Sequence, residues 1–156
     1  MDTVSKEQRH YNMSRIHGKD TKPEIAVRSY LFKNGLRFRK NDKRLPGSPD
    51  IVLPKYKTVI FINGCFWHGH EGCKNYHVPK TNTEFWQAKI NRNLERDKDN
   101  YQQLTNMGWK VIIIWECELK KKTEIEDNLY KLLIEIVGDT ALEIRKVSSD
   151  KDEALE

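Results

Sequence analysis

Cys65, His70, Cys73 and Cys117 restrict the possible folds of this chain more than any other feature, because they include every cysteine it has. Gly64-Cys65-Phe66-Trp67-His68-Gly69-His70-Glu71-Gly72-Cys73 places two thiols and two imidazoles in ten residues. Three cysteines cannot all pair within one chain, and in a reducing compartment such thiols are buried or bind metal. A Cys3His set is a ligand set of closed structural zinc sites, and the glycines beside it allow the tight backbone such a site needs. His68 and His77 compete with His70 for the fourth position, and three buried thiols with surface histidines are the plain alternative. With an ion present, the end of a strand at Thr58–Asn63 is tied to the end of a strand at Trp109–Trp115.

The remaining pattern is that of an α/β domain. Thr21-Lys22-Pro23-Glu24 has a Thr cap, a Pro in the first turn and Glu at capping-box spacing. Val27, Tyr30 and Leu31 share one face of the helix that follows, and Asn34-Gly35 ends it. Leu36 and Phe38 alternate with Arg37 and Arg39 as in a half-exposed strand. Leu45-Pro46-Gly47-Ser48-Pro49 is a braced turn into a strand at Asp50–Leu53, and Lys55-Tyr56-Lys57 connects it to Thr58–Asn63. A long loop from Gly64 to Asn82 follows. Thr83 then caps a helix running to Met107, with Gly108 as its stop. Trp109–Trp115 is nearly unbroken apolar sequence, which predicts a strand buried on both faces. Leu129, Leu132, Leu133 and Ile136 face the core from a last helix at Glu124–Val137. The order α-β-β-β-α-β-α predicts a mixed central sheet flanked by helices.

Net charge is only +5 over 156 residues, but it is unevenly placed. The first 122 residues carry +11 and the last 34 carry −6. A basic body points to an anionic partner, nucleic acid first, against the plain reading of a solvated Lys/Arg surface. No apolar run approaches the roughly 20 residues of a membrane span, and the N-terminus shows no signal-peptide core. The expectation is a soluble, cytoplasmic protein of one domain: a polar, basic arm or marginal helix over 1–20, a domain over 21–138, and an acidic tail over 139–156.

Asp50 follows Pro49 at a strand mouth, where a carboxylate is a good hard-oxygen ligand for Mg2+. Alone, a Pro-Asp more often simply ends a turn. Once His70 is given to zinc, His68 is spare, and histidine is the side chain suited to proton transfer near neutrality. Glu24 and Asp97 are further acids within reach of that region, though each also reads as an ordinary helix charge. Phe66 and Trp67 in a Gly- and Cys-rich loop are either lids on the core or wedges of the kind that enter DNA. Trp86 can join them, although its spacing favours helix-core packing. Lys89, Arg92, Asn93 and Arg96 put a basic stripe with one amide on one side of the helix.

Taken in order, these motifs identify a family. Leu45–Asp50, Val59–Phe61 through Gly64–His68, Thr83–Trp86, Glu95–Asp97 and Trp115–Cys117 resemble the very-short-patch-repair mismatch endonucleases. Asn12–Ile16 and Asp20–Thr21 fit as well. The likeness covers about residues 10–135 and leaves the acidic tail outside. It implies a restriction-endonuclease-like core and a Mg2+-dependent, strand-specific nick 5′ to the thymine of T·G mispairs, which arise by deamination of 5-methylcytosine. It further implies that Asp50 binds the catalytic metal with the Ile62 carbonyl, and that His68 is the general base, helped by Glu24 and Asp97. The zinc ligands are the four above. Phe66, Trp67 and Trp86 intercalate from the major groove, Met13 and Ile16 close from the other groove, and Lys89 and Asn93 touch bases near the mismatch. The implied partner is double-stranded DNA, bound by a monomer, with a MutL-type repair protein as a further candidate.

One position departs from the resemblance: the best-known member of the family has a histidine where this chain has Asn63. An amide orients water but cannot take a proton at neutral pH. That keeps two other readings open, a non-catalytic zinc-braced DNA-binding module and a restriction-type nuclease with a different DNA substrate. Glu71-Gly72 also makes the loop before Cys73 slightly longer.

Overall fold

Thr58–Asn63 is the strand around which the rest of the chain is laid. In the computed structural model, which describes residues 5–14 and 20–138, it is the third of four strands in one sheet of order β1-β2-β3-β4. The elements are α1 (Lys6–Ser14), α2 (Lys22–Lys33), β1 (Arg39–Lys40), β2 (Ile51–Leu53), β3 (Thr58–Asn63), α3 (Thr83–Asn106), β4 (Lys110–Trp115) and α4 (Lys122–Val137). β1–β2 and β2–β3 pair antiparallel, and β3–β4 pair parallel with Asn63 opposite Trp115. A parallel pair needs a crossover, which α3 supplies. Among the described residues no helix is long and apolar enough to cross a membrane.

Helices cover both faces of the sheet. Val27 and Leu31 of α2 and Leu129, Leu132, Leu133 and Ile136 of α4 pack on Ile51, Ile60, Ile112 and Ile114. On the other face Leu104 of α3 packs on Val52, Val59 and Phe61, with Tyr101 beside them. Burial of these aliphatic side chains, each worth roughly 1.5–3 kcal/mol, supplies the main driving force.

Three local expectations are corrected. The strand read at Leu36–Arg39 shrinks to β1, because the Leu36 N–H still donates to the Leu31 carbonyl in the closing turn of α2. Thr83 is the first residue of α3 rather than its cap. Its hydroxyl donates to the Pro79 and Lys80 carbonyls at 2.9 and 3.1 Å, fastening the incoming loop, while Asn82 holds the cap position at φ +54°. β4, expected to be buried on both faces, is an edge strand. Its Ile112 and Ile114 are buried, but Ile113 on the opposite face is 37% exposed. The buried strands are β2, throughout, and β3, along almost its whole length.

The start of α2 follows its sequence signature with one shift. The Thr21 hydroxyl accepts from the Glu24 N–H at 3.4 Å, while the Glu24 carboxylate reaches back to the Asp20 N–H at 3.0 Å, one residue earlier than an ordinary capping box. This fold-back buries Glu24 to 5% exposure.

Candidate active site and metal centre

The closure read from the cysteines is present. One ligand atom from each of Cys65, His70, Cys73 and Cys117 lies within 4.8 Å of all the others. An ion about 2.3 Å from sulfur in a tetrahedron holds its ligand atoms roughly 3.8 Å apart, so a small contraction completes the shell. Burial pushes the Cys65 thiol up and, with the neighbouring thiols, takes Cys117 to about 12, whereas the Asn75 N–H lowers Cys73. Three crowded thiols of this kind are relieved by a cation that binds them as thiolates. The cluster can hold a metal such as zinc. His70, not His68 or His77, is the imidazole in it, and its ring lies flat on Trp115 with centroids 4.0 Å apart.

The loop between the ligands is held by its own backbone. The His70 N–H donates to the Cys65 carbonyl at 2.9 Å and the His68 N–H to Gly64 at 3.2 Å. Gly69, between the two histidines, has φ +57°, and a Cβ there would lie 3.1 Å from Ile90 Cγ2 and 3.3 Å from Leu94 Cδ1. Gly69→Ala is therefore expected to cost about 1–2 kcal/mol from left-handed strain and crowding. In a melting experiment the midpoint should fall by roughly 2–8 °C.

The geometry of the Cys/His loop delivers His68 to a cleft of about 530 Å3, whose walls include Glu24, Asp50, Ile62, Asn63, Trp67, His68 and Asp97. Asp50 sits just before β2 and accepts the Ile62 N–H on Oδ2 at 2.7 Å. On a strand the N–H and C=O of one residue point to the same side, so the Ile62 carbonyl also faces Asp50. Burial pushes the Asp50 carboxyl up to about 6 despite that bond; Glu24 adds to the rise, and His68 and Arg28 oppose it. His68 Nδ1 and Asp97 Oδ2 lie 2.5 Å apart, the ring N–H donating to the carboxylate and Nε2 left for another partner. Asn63 is buried, and its Nδ2 donates to the Tyr101 hydroxyl at 2.9 Å. Among the described residues the Cys/His cluster is the one group of three or more such side chains close enough to share an ion.

Beside the cleft, Phe66, Trp67 and Trp86 form a triangle with ring centroids 5.1, 5.6 and 6.0 Å apart. Trp86 therefore packs on the aromatics of the Cys/His loop, not in the core as its spacing favoured. Lys89 Nζ lies 5.1 Å from the Trp67 ring and 5.7 Å from Trp86. Asn93 Nδ2 donates to the Trp67 carbonyl at 2.9 Å. Both residues thus brace the aromatics as well as standing next to them.

Met13 and Ile16 are not placed: the Met13 side chain and all of Ile16 lie outside the described residues. Conversely, the cleft contains groups that spacing did not single out. Gly47 and Ser48 line it from the turn before Asp50, and Glu116 lines it while accepting the Cys65 N–H at 3.2 Å. Phe85, 55% exposed, extends the aromatic triangle through Trp86. Glu116 lies within the Trp115–Cys117 motif beside the ligand Cys117, and that placement is its signal in the sequence.

The mixed sheet with helices on both faces and an acid at the mouth of β2 forms a restriction-endonuclease-like core. The family model described as DNA mismatch endonuclease Vsr matches residues 1–75. A type II nicking enzyme, V.NmeAIP of Neisseria meningitidis serogroup A, is 53% identical over 135 residues, covering 86% of this chain and 96% of that protein. V.XorIIP of Xanthomonas oryzae pv. oryzae, also named a type II nicking enzyme, is 44% identical over 132 residues, with coverage of 85% and 96%. The DNA mismatch endonuclease Vsr of Escherichia coli K12 is 44% identical over 127 residues, 81% of each chain. The chain belongs to the Vsr DNA mismatch endonuclease family, and is an enzyme that acts on DNA in mismatch repair.

Proposed function

We propose that the chain nicks one strand of duplex DNA on the 5′ side of the thymine in a T·G mispair, with Mg2+ as catalytic ion and zinc as structural ion. The observation that carries this reading is the cleft itself, where Asp50, Ile62, Asn63, His68, Asp97 and Glu24 line one space beside the aromatic triangle. The mismatch and nicking activities in the relatives' names support it.

The residues fit a hard divalent cation. Glu24 is buried and Asp50 beside it half-buried, and burial, with Glu24 adding to it, holds the Asp50 carboxyl up near 6, a rise that a bound cation would relieve. Asp50 and the Ile62 carbonyl would hold Mg2+, which when bound polarises the scissile phosphate and stabilises the charge that develops on it. His68 takes the proton of the attacking water on Nε2, while Asp97 fixes the ring and its tautomer from Nδ1. Glu24 keeps a second negative group beside Asp50 without touching the phosphate. Asn63 orients water through its amide. The assembled His68–Asp97 pair favours this chemistry over a non-catalytic module.

Selectivity comes from the aromatics. Phe66, Trp67 and Trp86 enter the stack at the mispair, which is cheaper to unstack than a matched pair. Lys89 and Asn93 contact bases beside it, and residues 1–20 with Met13 and Ile16 close on the duplex from the other groove. All the described catalytic groups come from one chain, and a monomer is enough.

The deciding experiment compares nicking of T·G, T·A and C·G pairs at one position with Mg2+. Cutting confined to the T·G strand supports the proposal; equal cutting rejects mismatch specificity, and no cutting rejects the hydrolytic reading. Trp67→Ala should weaken T·G duplex binding by roughly 5–150-fold, the worth of one aromatic–base stack at about 1–3 kcal/mol. Fluorescence anisotropy on matched and mismatched duplexes checks it, and equal weakening of both would show that the ring is not a mismatch wedge.

A further inference from the structure

Asn63, where this chain departs from the best-known member of the family, is held by a residue 38 positions away. Tyr101, on the sheet-facing side of α3, takes the Asn63 Nδ2–H on its hydroxyl at 2.9 Å. The phenol ring is in turn fixed against Phe61, centroids 4.9 Å apart and planes tilted by 59°. Burial raises the Tyr101 hydroxyl to about 12, with Asp97 and Asp50 adding to the rise, so it stays a neutral phenol at any working pH.

Asn63 stands in the wall between two spaces. It lines the catalytic cleft with Asp50 and His68, and with Tyr101 it lines a second cavity of about 610 Å3 beneath α3. A carboxamide has two different ends, and a free one can turn over. With Nδ2 donating to the Tyr101 hydroxyl, the oxygen end is turned away from the phenol.

We propose that Tyr101 is a positioning residue for the hydrolytic step: it locks the Asn63 amide so that Oδ1 is presented to the cleft as an acceptor for the attacking water beside His68. The pair thereby does with a fixed dipole what Asn63 alone does poorly. The role rests on the hydrolytic reading above. In this role Tyr101 acts through Asn63, whose amide it holds.

The test is a double-mutant cycle on single-turnover nicking of a T·G duplex with saturating Mg2+, using Tyr101→Phe, Asn63→Ala and the double variant. The net worth of one such hydrogen bond corresponds to roughly 2–13-fold. Tyr101→Phe keeps the ring against Phe61 and removes only the hydroxyl. It should lower the nicking rate by about 10-fold with the DNA dissociation constant unchanged within twofold. Asn63→Ala should lower the rate at least as much, and the double variant should match Asn63→Ala alone. Equal rates for Tyr101→Phe and wild type overturn the proposal, as do losses that multiply in the double variant. A loss carried wholly by DNA affinity or by a lower melting midpoint also overturns it. Wild type that cuts no duplex defeats the hydrolytic reading and this role together, which separates that outcome from the others.

Discussion

Asp50→Ala is expected to lower nicking by at least roughly 10^3-fold, because charge stabilisation at a phosphate is worth several kcal/mol and each 1.36 kcal/mol is tenfold. DNA affinity should stay within a few-fold, since the aromatics and basic side chains are untouched. Asp50→Asn makes the assignment sharper. Its amide oxygen can still accept the Ile62 N–H, so local structure is kept. It also removes a burden: the folded-state carboxyl sits near 6, above its ordinary 3.8, so the native state binds this proton more tightly than the unfolded chain. The resulting stability is fully present below about pH 3.8, and is lost as pH rises through about 6. Without added Mg2+, wild type should therefore lose stability relative to Asp50→Asn between those limits and melt below it at pH 7.5. Adding Mg2+ should raise the wild-type midpoint and leave Asp50→Asn unmoved. Scanning calorimetry at several pH values checks both parts. Identical midpoints with and without Mg2+ would mean that Asp50 holds no cation.

Zinc removal is expected to be as severe. Structural zinc contributes on the order of 10 kcal/mol, comparable with the entire 5–15 kcal/mol stability of an ordinary domain. Cys117→Ser, or a strong chelator, should release one zinc ion per chain, loosen the Gly64–Asn82 loop and abolish nicking through displaced His68 and Trp67. Elemental analysis beside circular dichroism and the nicking assay reads all three. A metal-free chain that melts and cuts like wild type would show that the thiols merely pack. Serine is nearly the size of cysteine, so packing loss alone should cost far less.

The parts of the fold legible in the sequence were those set by local chemistry. β3, the Gly64–Asn82 loop and the buried stripe of α4 fell where alternation, glycines and helical spacing put them. The Trp109–Trp115 run misled, because an apolar run does not say which strand gets a neighbour on both sides. That depends on the pairing order, which left β4 at an edge with Ile113 facing a cavity. The site divides in the same way. Asp50, His68 and the cysteines sit in dense local motifs. Tyr101 and Glu116 do their work through contacts 38 and 51 residues away along the chain, which no spacing rule reveals.

α3 also acts as a ruler. Trp86, at its head, and Asp97, at the cleft, are eleven positions apart on one unbroken helix. Eleven residues make just over three whole turns and span about 16 Å, so both side chains look to nearly the same side. Removing a single residue between them would swing one against the other by about 100° while shortening the span by only 1.5 Å. Length changes here are thus acceptable only in steps of a full turn. On the proposed reading, the distance from the point where DNA is opened to the point where it is cut would be graduated by the helix itself.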